Sequence, residues 1–564
     1  MPIRLTPKLA IASAVLLIAF NATAQAESDS AKPKTMQTEL TSDFVFKYLV
    51  GEIAGQRGDL GLASNLFLNL AKSSRDPRLA ERAAKVAVYG NNAKTAVQAA
   101  NLWAELDPAS VEAQQATTEM LLSTGNLADA KPHLKKLLVK EETRANGFLY
   151  LNNLFTRQPD KKAVLKLVQE LAKPYPKLPE AHFTVAHAAW AAGNDKLAIS
   201  EMHIADKLRP GWELNAILQG QVLFGQSPDT AIDFYRNFLG QHPEANEVRM
   251  NLARTLVNQK RLGEAKPEFV KLAQASKDSP EILVVVGLLS FQAEDYTEAE
   301  QYFQQVLATD FRDKDQIYLY LGQVAEKQKK DDRALTWYNK VEPGERYLDA
   351  KLDIAYVLAR TQGTDGAIKM LNDLSDLNNE QMVLVIQTQA NLLVQAKRHR
   401  EAYDLLDKAV KNLPNTPGII YDYAMAAEKL DYLDVVEREL RKLIQIKPDS
   451  AQAYNALGYS LADRNIKLDE ARTLIEKALE LSPNDHFILD SMGWVQYRLG
   501  KLDKDVDYLR RAYTTQTDPE IAAHLGEVLW QQGKRDEALK IWGEALHDHP
   551  DNEVLQSTSK KFKL

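Results

Sequence analysis

The feature that most constrains this chain of 564 residues is an internal repeat with a period close to 34 residues, running almost from end to end. The clearest unit spans Ile521 to Pro550, where Gly526, Gly533, Ala538, Trp542, Ala545 and Pro550 mark its fixed places. Going upstream in steps of 33 to 35 residues, the slot of Gly526 is taken by Gly493, Gly458, Ala424, Ala390, Ala355, Gly322, Gly287, Ala253, Gln219, Ala186, Asn152, Thr118, Ala84 and Gly51. A second slot keeps the same beat as Ala63, Ala96, Ala130, Ala198, Ala231, Ala265, Ala299, Ala334, Ala367, Ala402, Ala471 and Ala538. Val164, Val436 and Asp505 occupy its other three places. Pro108, Pro176, Pro210, Pro243, Pro414, Pro448, Pro483 and Pro550 close units, where a fixed φ and a missing N–H stop a helix. Between the slots apolar residues recur at helical spacing, as in DEARTLIEKALEL from Asp469 to Leu481. Each unit therefore reads as two helices that approach closely at small residues. One such pair cannot bury its own apolar face, so neighbours must stack.

These spacings resemble the tetratricopeptide repeat (TPR). The resemblance implies an all-α fold, a right-handed TPR superhelical solenoid of about 15 helix-turn-helix repeats over residues 43–550, with a concave face lined by first helices. The match is strongest from Gln452 to Pro550, weaker from Phe44 to Pro176, and weakest from Ala145 to Pro176. Residues 27–42 are polar and predict a flexible linker. Residues 551–564, ending Lys560-Lys561-Phe562-Lys563-Leu564, suit a polar C-terminal cap or tail.

Residues 1–26 carry Arg4 and Lys8, an apolar run from Leu9 to Phe20, and Ala24-Gln25-Ala26, which together predict a signal peptide cleaved after Ala26. The destination is then periplasmic, with no further transmembrane span and an outer-membrane association that is at most peripheral. The sequence has no cysteine, which excludes disulfides and a lipidation site. Losing the leader moves the formal net charge from −7 to −9 because Arg4 and Lys8 leave with it, a balance unsuited to nucleic acid.

Catalytic patterns are missing: there is no HExxH, GxSxG or GxxxxGK[ST]. His182 and His187 are five apart and do not share a helix face, so no metal site and no cofactor is expected, and the chain reads as a non-enzyme. Lys477 with Glu480, and Glu537 with Lys540, read as exposed pairs one turn apart.

Taking the small slot as place eight, the TPR resemblance implies that places two, five, nine, twelve and thirteen of first helices face a protein-binding groove. They are Tyr421; Asn455 and Tyr459; Asp490, Trp494, Tyr497 and Arg498; and Glu527 and Trp530. An earlier cluster is Phe183, His187 and Trp190. Aromatic and arginine side chains of this kind dominate protein–protein hot spots. The competing expectation is that the rings pack against the next repeat. A first helix of roughly 13 residues is about 20 Å long, room for an extended segment or a helix.

Leu489-Asp-Ser-Met-Gly-Trp-Val-Gln-Tyr-Arg-Leu-Gly and Asp518-Pro-Glu-Ile-Ala-Ala-His-Leu-Gly-Glu-Val-Leu-Trp resemble the last repeats of a proteobacterial envelope TPR family. Val50-Gly-Glu-Ile-Ala-Gly-Gln-Arg-Gly-Asp and Arg75-Asp-Pro-Arg-Leu-Ala-Glu-Arg-Ala are similar to its start. That family includes a TPR lipoprotein adaptor of a periplasmic carboxyl-terminal processing protease. The resemblance implies a scaffold or adaptor that presents substrates, with that protease and cell-wall hydrolases as partners. The absent cysteine departs from the family at its lipid anchor. A scaffold for exopolysaccharide export or envelope assembly is the alternative.

Overall fold

The computed structural model describes residues 41–276, 279–501 and 505–562; the leader, its Ala26 and residues 27–40 lie outside that set. Among the described residues there are 31 helices and no strand. The first thirty pair off as fifteen repeats, and in every repeat the two slots fall on its first and second helix. Two compact units divide at Val248 and Arg249. Within each, helices pack on their neighbours in chain order.

The local chemistry is that of capped, punctuated helices. Asp59, Asn92, Ser110, Asp160 and Asn194 accept a backbone N–H at the starts of their helices. Pro77, Pro179, Pro280, Pro417 and Pro519 sit in first turns, where no N–H is needed. Turns between the two helices of a repeat use left-handed backbone, supplied by Gly125, Gly193, Gly500 and Gly533 at φ of 77, 74, 76 and 80°.

The small slot exists to receive a large side chain from the second helix. A Cβ on Gly526 would lie 2.1 Å from Trp542 Nε1, and that indole is fully buried. In repeat 6 the slot sits one residue later than the period implies: Gly220, not Gln219, meets the Tyr235 ring, where a Cβ would come within 2.1 Å. Repeat 4, with Asn152 and Val164 in its slots, packs its first helix (Glu141–Phe155) mainly on the first helix of repeat 5 (Pro179–Ala191) through buried Phe148 and Leu151.

Thr41 caps the first helix, accepting the Phe44 N–H at 3.2 Å, and Ser42 already belongs to that helix, so the solenoid begins inside the stretch read as linker. Glu553–Phe562 in the C-terminal segment forms a final helix that packs on repeat 15 through Val554, Leu555 and Phe562. Glu537 pairs with Arg510 of the preceding repeat at 2.6 Å instead of with Lys540, whereas Lys477 and Glu480 do pair, at 2.7 Å.

Candidate protein-binding face

The inner edges of first helices in the second unit are joined by polar contacts one repeat apart. Gln387 in repeat 11 donates to Asp422 in repeat 12 at 2.6 Å, and Asp490 in repeat 14 holds His524 in repeat 15 at 2.9 Å. Each links place five of one first helix to place six of the next. Burial raises the Asp422 carboxyl, and its bond to Gln387 offsets part of that rise.

Around His524 the candidate groove is closed. The imidazole stacks on Trp494 with centroids 4.2 Å apart and planes 22° apart, and the Tyr459 ring lies 6.0 Å away. Tyr459 is in repeat 13 and His524 in repeat 15, so the first helices curl tightly enough for side chains two repeats apart to meet. Trp494 Nε1 donates to Asp463 at 3.3 Å. Arg498 donates to the Asp463 carbonyl at 3.1 Å and lies over the Trp494 ring. The Tyr497 hydroxyl donates to Glu527 at 3.3 Å, and Lys561 of the final helix pairs with the same carboxylate oxygen at 2.6 Å. Trp530 packs against both Trp542 and Phe562, at 5.8 and 5.6 Å.

This corrects the reading of these side chains as an exposed groove. Trp494, Asp490 and Glu527 are buried, and Tyr459, Tyr497, Arg498 and Trp530 are half-buried in internal contacts. Neighbouring first helices and the final helix supply these contacts. Tyr421 and Asn455 are likewise half-buried; burial pushes the Tyr421 hydroxyl up, and Asn455 Oδ1 is buried without a hydrogen-bond partner. Burial works against a charged His524 ring, but the charge and hydrogen bond of Asp490, with Glu520 and Asp463 beyond, carry its pKa above the ordinary histidine value.

In the first unit, Phe183 is buried against Trp212, centroids 5.0 Å apart, which corrects its place in the groove as well. His187 is half-buried, its pKa lowered by burial and by nearby Lys161, and it meets Trp190 edge-on at 6.4 Å. Trp190 remains 37% exposed, and Phe224, in the last turn of the next first helix (Glu213–Gln226), is 41% exposed. Trp190 is thus the sequence candidate that still presents an open aromatic surface, and Phe224, which stands at place thirteen counted from Gln219, joins it although it was not among the candidates named from sequence.

His524 was also invisible to a search for metal spacing. The signal that finds it is an acid and a histidine 34 residues apart at facing places of consecutive first helices. Among the described residues no group of three or more histidine and carboxylate side chains is arranged to hold a metal ion, and no helix is long and apolar enough to cross a membrane.

Helix pairs repeated fifteen times, most with a small residue where the two helices approach, define a TPR solenoid, a class that serves as scaffold for protein–protein interaction. The tetratricopeptide-repeat family model matches residues 223–280, 287–351 and 451–485. The chain is 33% identical over 501 residues to the TPR repeat-containing protein PA4667 of Pseudomonas aeruginosa, covering 88% of this chain and 84% of that one, and it belongs to that TPR repeat-containing protein family. Among solved structures it is similar to yeast Tom70, with 14% identity, 83% of this chain and 98% of that one covered, and a TM-score of 0.31. It is also similar to the Thermus thermophilus TPR protein TTC0263, with 24% identity, 31% and 96% covered, and a TM-score of 0.29.

Proposed function

We propose that the chain is a non-enzymatic adaptor of the bacterial envelope that holds protein substrates for a periplasmic carboxyl-terminal processing protease. The observation that carries this reading is the agreement of fold and kinship: a scaffold of repeats throughout, related over 88% of its length to a TPR protein of a proteobacterium. The leader ending at Ala26 supports a periplasmic site of action, and the lack of cysteine supports a form free of lipid. Cell-wall hydrolases are the proposed substrates.

Exposed Trp190 and Phe224 on consecutive first helices are the proposed contact, since large rings bury much area at little entropic cost. Affinity capture of the tagged, exported chain from its own envelope tests the proposal. It should recover a processing protease together with cell-wall hydrolases, and Trp190→Ala with Phe224→Ala should deplete the hydrolases. Recovery of neither class overturns the reading; recovery of polysaccharide-export components instead would favour the alternative scaffold role.

A further inference from the structure

The first helix of repeat 1, Ser42–Gln56, carries an open apolar stripe: Phe46 is 67% exposed, Leu49 53% and Ile53 48%, with Val45 beside them. Counted from the Gly51 slot, Phe46 stands at place three and Ile53 at place ten. In many later first helices place three is buried, as at Leu79, Ala113, Ala181, Ile317, Ile419 and Ile521, and so is place ten, as at Val324, Val357, Val495 and Val528. Those places are covered by the preceding repeat. Among the described residues no helix precedes repeat 1, yet its sequence keeps the apolar residues that a preceding helix would cover. The opposite end is finished differently, by a final helix whose Gln556, Lys560 and Lys561 are exposed.

Once the leader is removed at Ala26, the upstream sequence is too poor in apolar side chains to match the stripe. Residues 27–40 hold Met36 and Leu40 as their large apolar side chains, with Pro33 between charged and hydroxyl residues. A lipid surface is also a poor match, because Asp43 and Glu52 flank the stripe and Lys47 is the helix's one basic residue. What a solenoid lays on this face is an antiparallel helix, as the second helix of repeat 1 (Leu60–Ser74) lies on the first helix of repeat 2 (Pro77–Tyr89).

We propose that the missing helix is the same helix of a second copy, so that two chains associate through a two-fold contact of their first helices. Antiparallel pairing centred between Leu49 and Val50 is self-complementary. Phe46 of each copy meets Ile53 of the other, and exposed Asp43, which pairs with Lys47 of its own helix at 2.6 Å, meets exposed Arg57 just past the other helix end. A single helix face is smaller than the roughly 800 Å² per partner of a standard interface, so the association is concentration-dependent.

Sedimentation velocity on the exported chain tests this. Between about 1 and 100 μM the weight-average mass should climb from that of one chain to that of two. Phe46→Glu with Leu49→Glu should hold it at one chain with an unchanged far-UV circular dichroism spectrum, since both residues are already exposed. Asp43→Arg should weaken association at least threefold, and Asp43→Arg combined with Arg57→Asp should restore it. A mass that stays at one chain throughout, or a doubling that survives the Phe46 and Leu49 changes, would overturn the proposal; the first result would leave the stripe to a different protein.

Discussion

Removing one partner of the Asp490–His524 pair should destabilise the last repeats more than any surface change. Both side chains are buried, the imidazole bonded to the carboxylate at 2.9 Å and stacked on Trp494 at 4.2 Å. Breaking a buried pair from one side costs about 3–5 kcal/mol, because the remaining group stays desolvated without its counter-charge. Asp490→Ala should fall in that range. His524→Ala should lie near its upper end, since it also removes the ring beneath Trp494. Replacing both at once, Asp490→Leu with His524→Phe, removes the charges together and should recover most of the loss, to within about 1.5 kcal/mol of the parent.

The same pair sets a pH dependence. A raised histidine pKa means that the folded chain holds the proton more tightly than the unfolded one. The resulting stabilisation is complete below the unfolded value of about 6.5 and is lost as pH climbs through the higher folded value. One proton limits the slope to about 1.4 kcal/mol per pH unit. Urea unfolding, read by hydrogen exchange in peptides covering 486–531, should show protection falling as pH climbs above about 6.5, and His524→Gln should flatten the trend. Protection that rises with pH, or an unaltered slope in His524→Gln, would refute the reasoning.

Three further outcomes follow from packing and charge. Gly526→Ala places a methyl 2.1 Å from Trp542 Nε1, so overpacking of about 1–3 kcal/mol should outweigh a helix-propensity gain of up to about 1 kcal/mol. Gly543→Ala, with nothing within 4 Å, should show only the gain, and thermal melts of the two variants should move in opposite directions. Phe562→Ala removes the ring stacked on Trp542 at 5.1 Å and should speed exchange in residues 519–548 by an amount equivalent to about 1–3 kcal/mol. Asp353, pushed up to about 7 by burial and then by Glu326, with Gln323 and Tyr338 opposing, favours its protonated form when folded. Acidification from about pH 7 towards pH 4 should therefore stabilise repeats 9 and 10, and Asp353→Asn should raise their stability above pH 7 and erase that dependence.

The register of the repeats was legible because a close helix crossing tolerates little but Gly or Ala at its centre, and those residues recur on a fixed count. It slipped by one at Gln219 because what defines the slot is contact with the Tyr235 ring, which the count alone does not see. The fate of the inner side chains was not legible. Place nine names the same helix face whether consecutive first helices splay apart or curl together, and that choice is made by contacts between repeats. Trp494 on His524, Tyr459 beside it and Phe183 on Trp212 are such contacts, so rings expected to face a groove became its filling. The C-terminal segment looked polar because its apolar residues, Val554, Leu555 and Phe562, are few, yet all three land on repeat 15.

Reconstituted proteolysis tests the adaptor assignment most directly. A purified carboxyl-terminal processing protease is mixed with a purified cell-wall hydrolase, with and without the exported chain, and loss of intact hydrolase is followed over time. The account predicts that the chain accelerates degradation without cleaving the hydrolase by itself, and that Trp190→Ala with Phe224→Ala removes most of the acceleration. Equal rates with and without the chain, or cleavage by the chain alone, would contradict it.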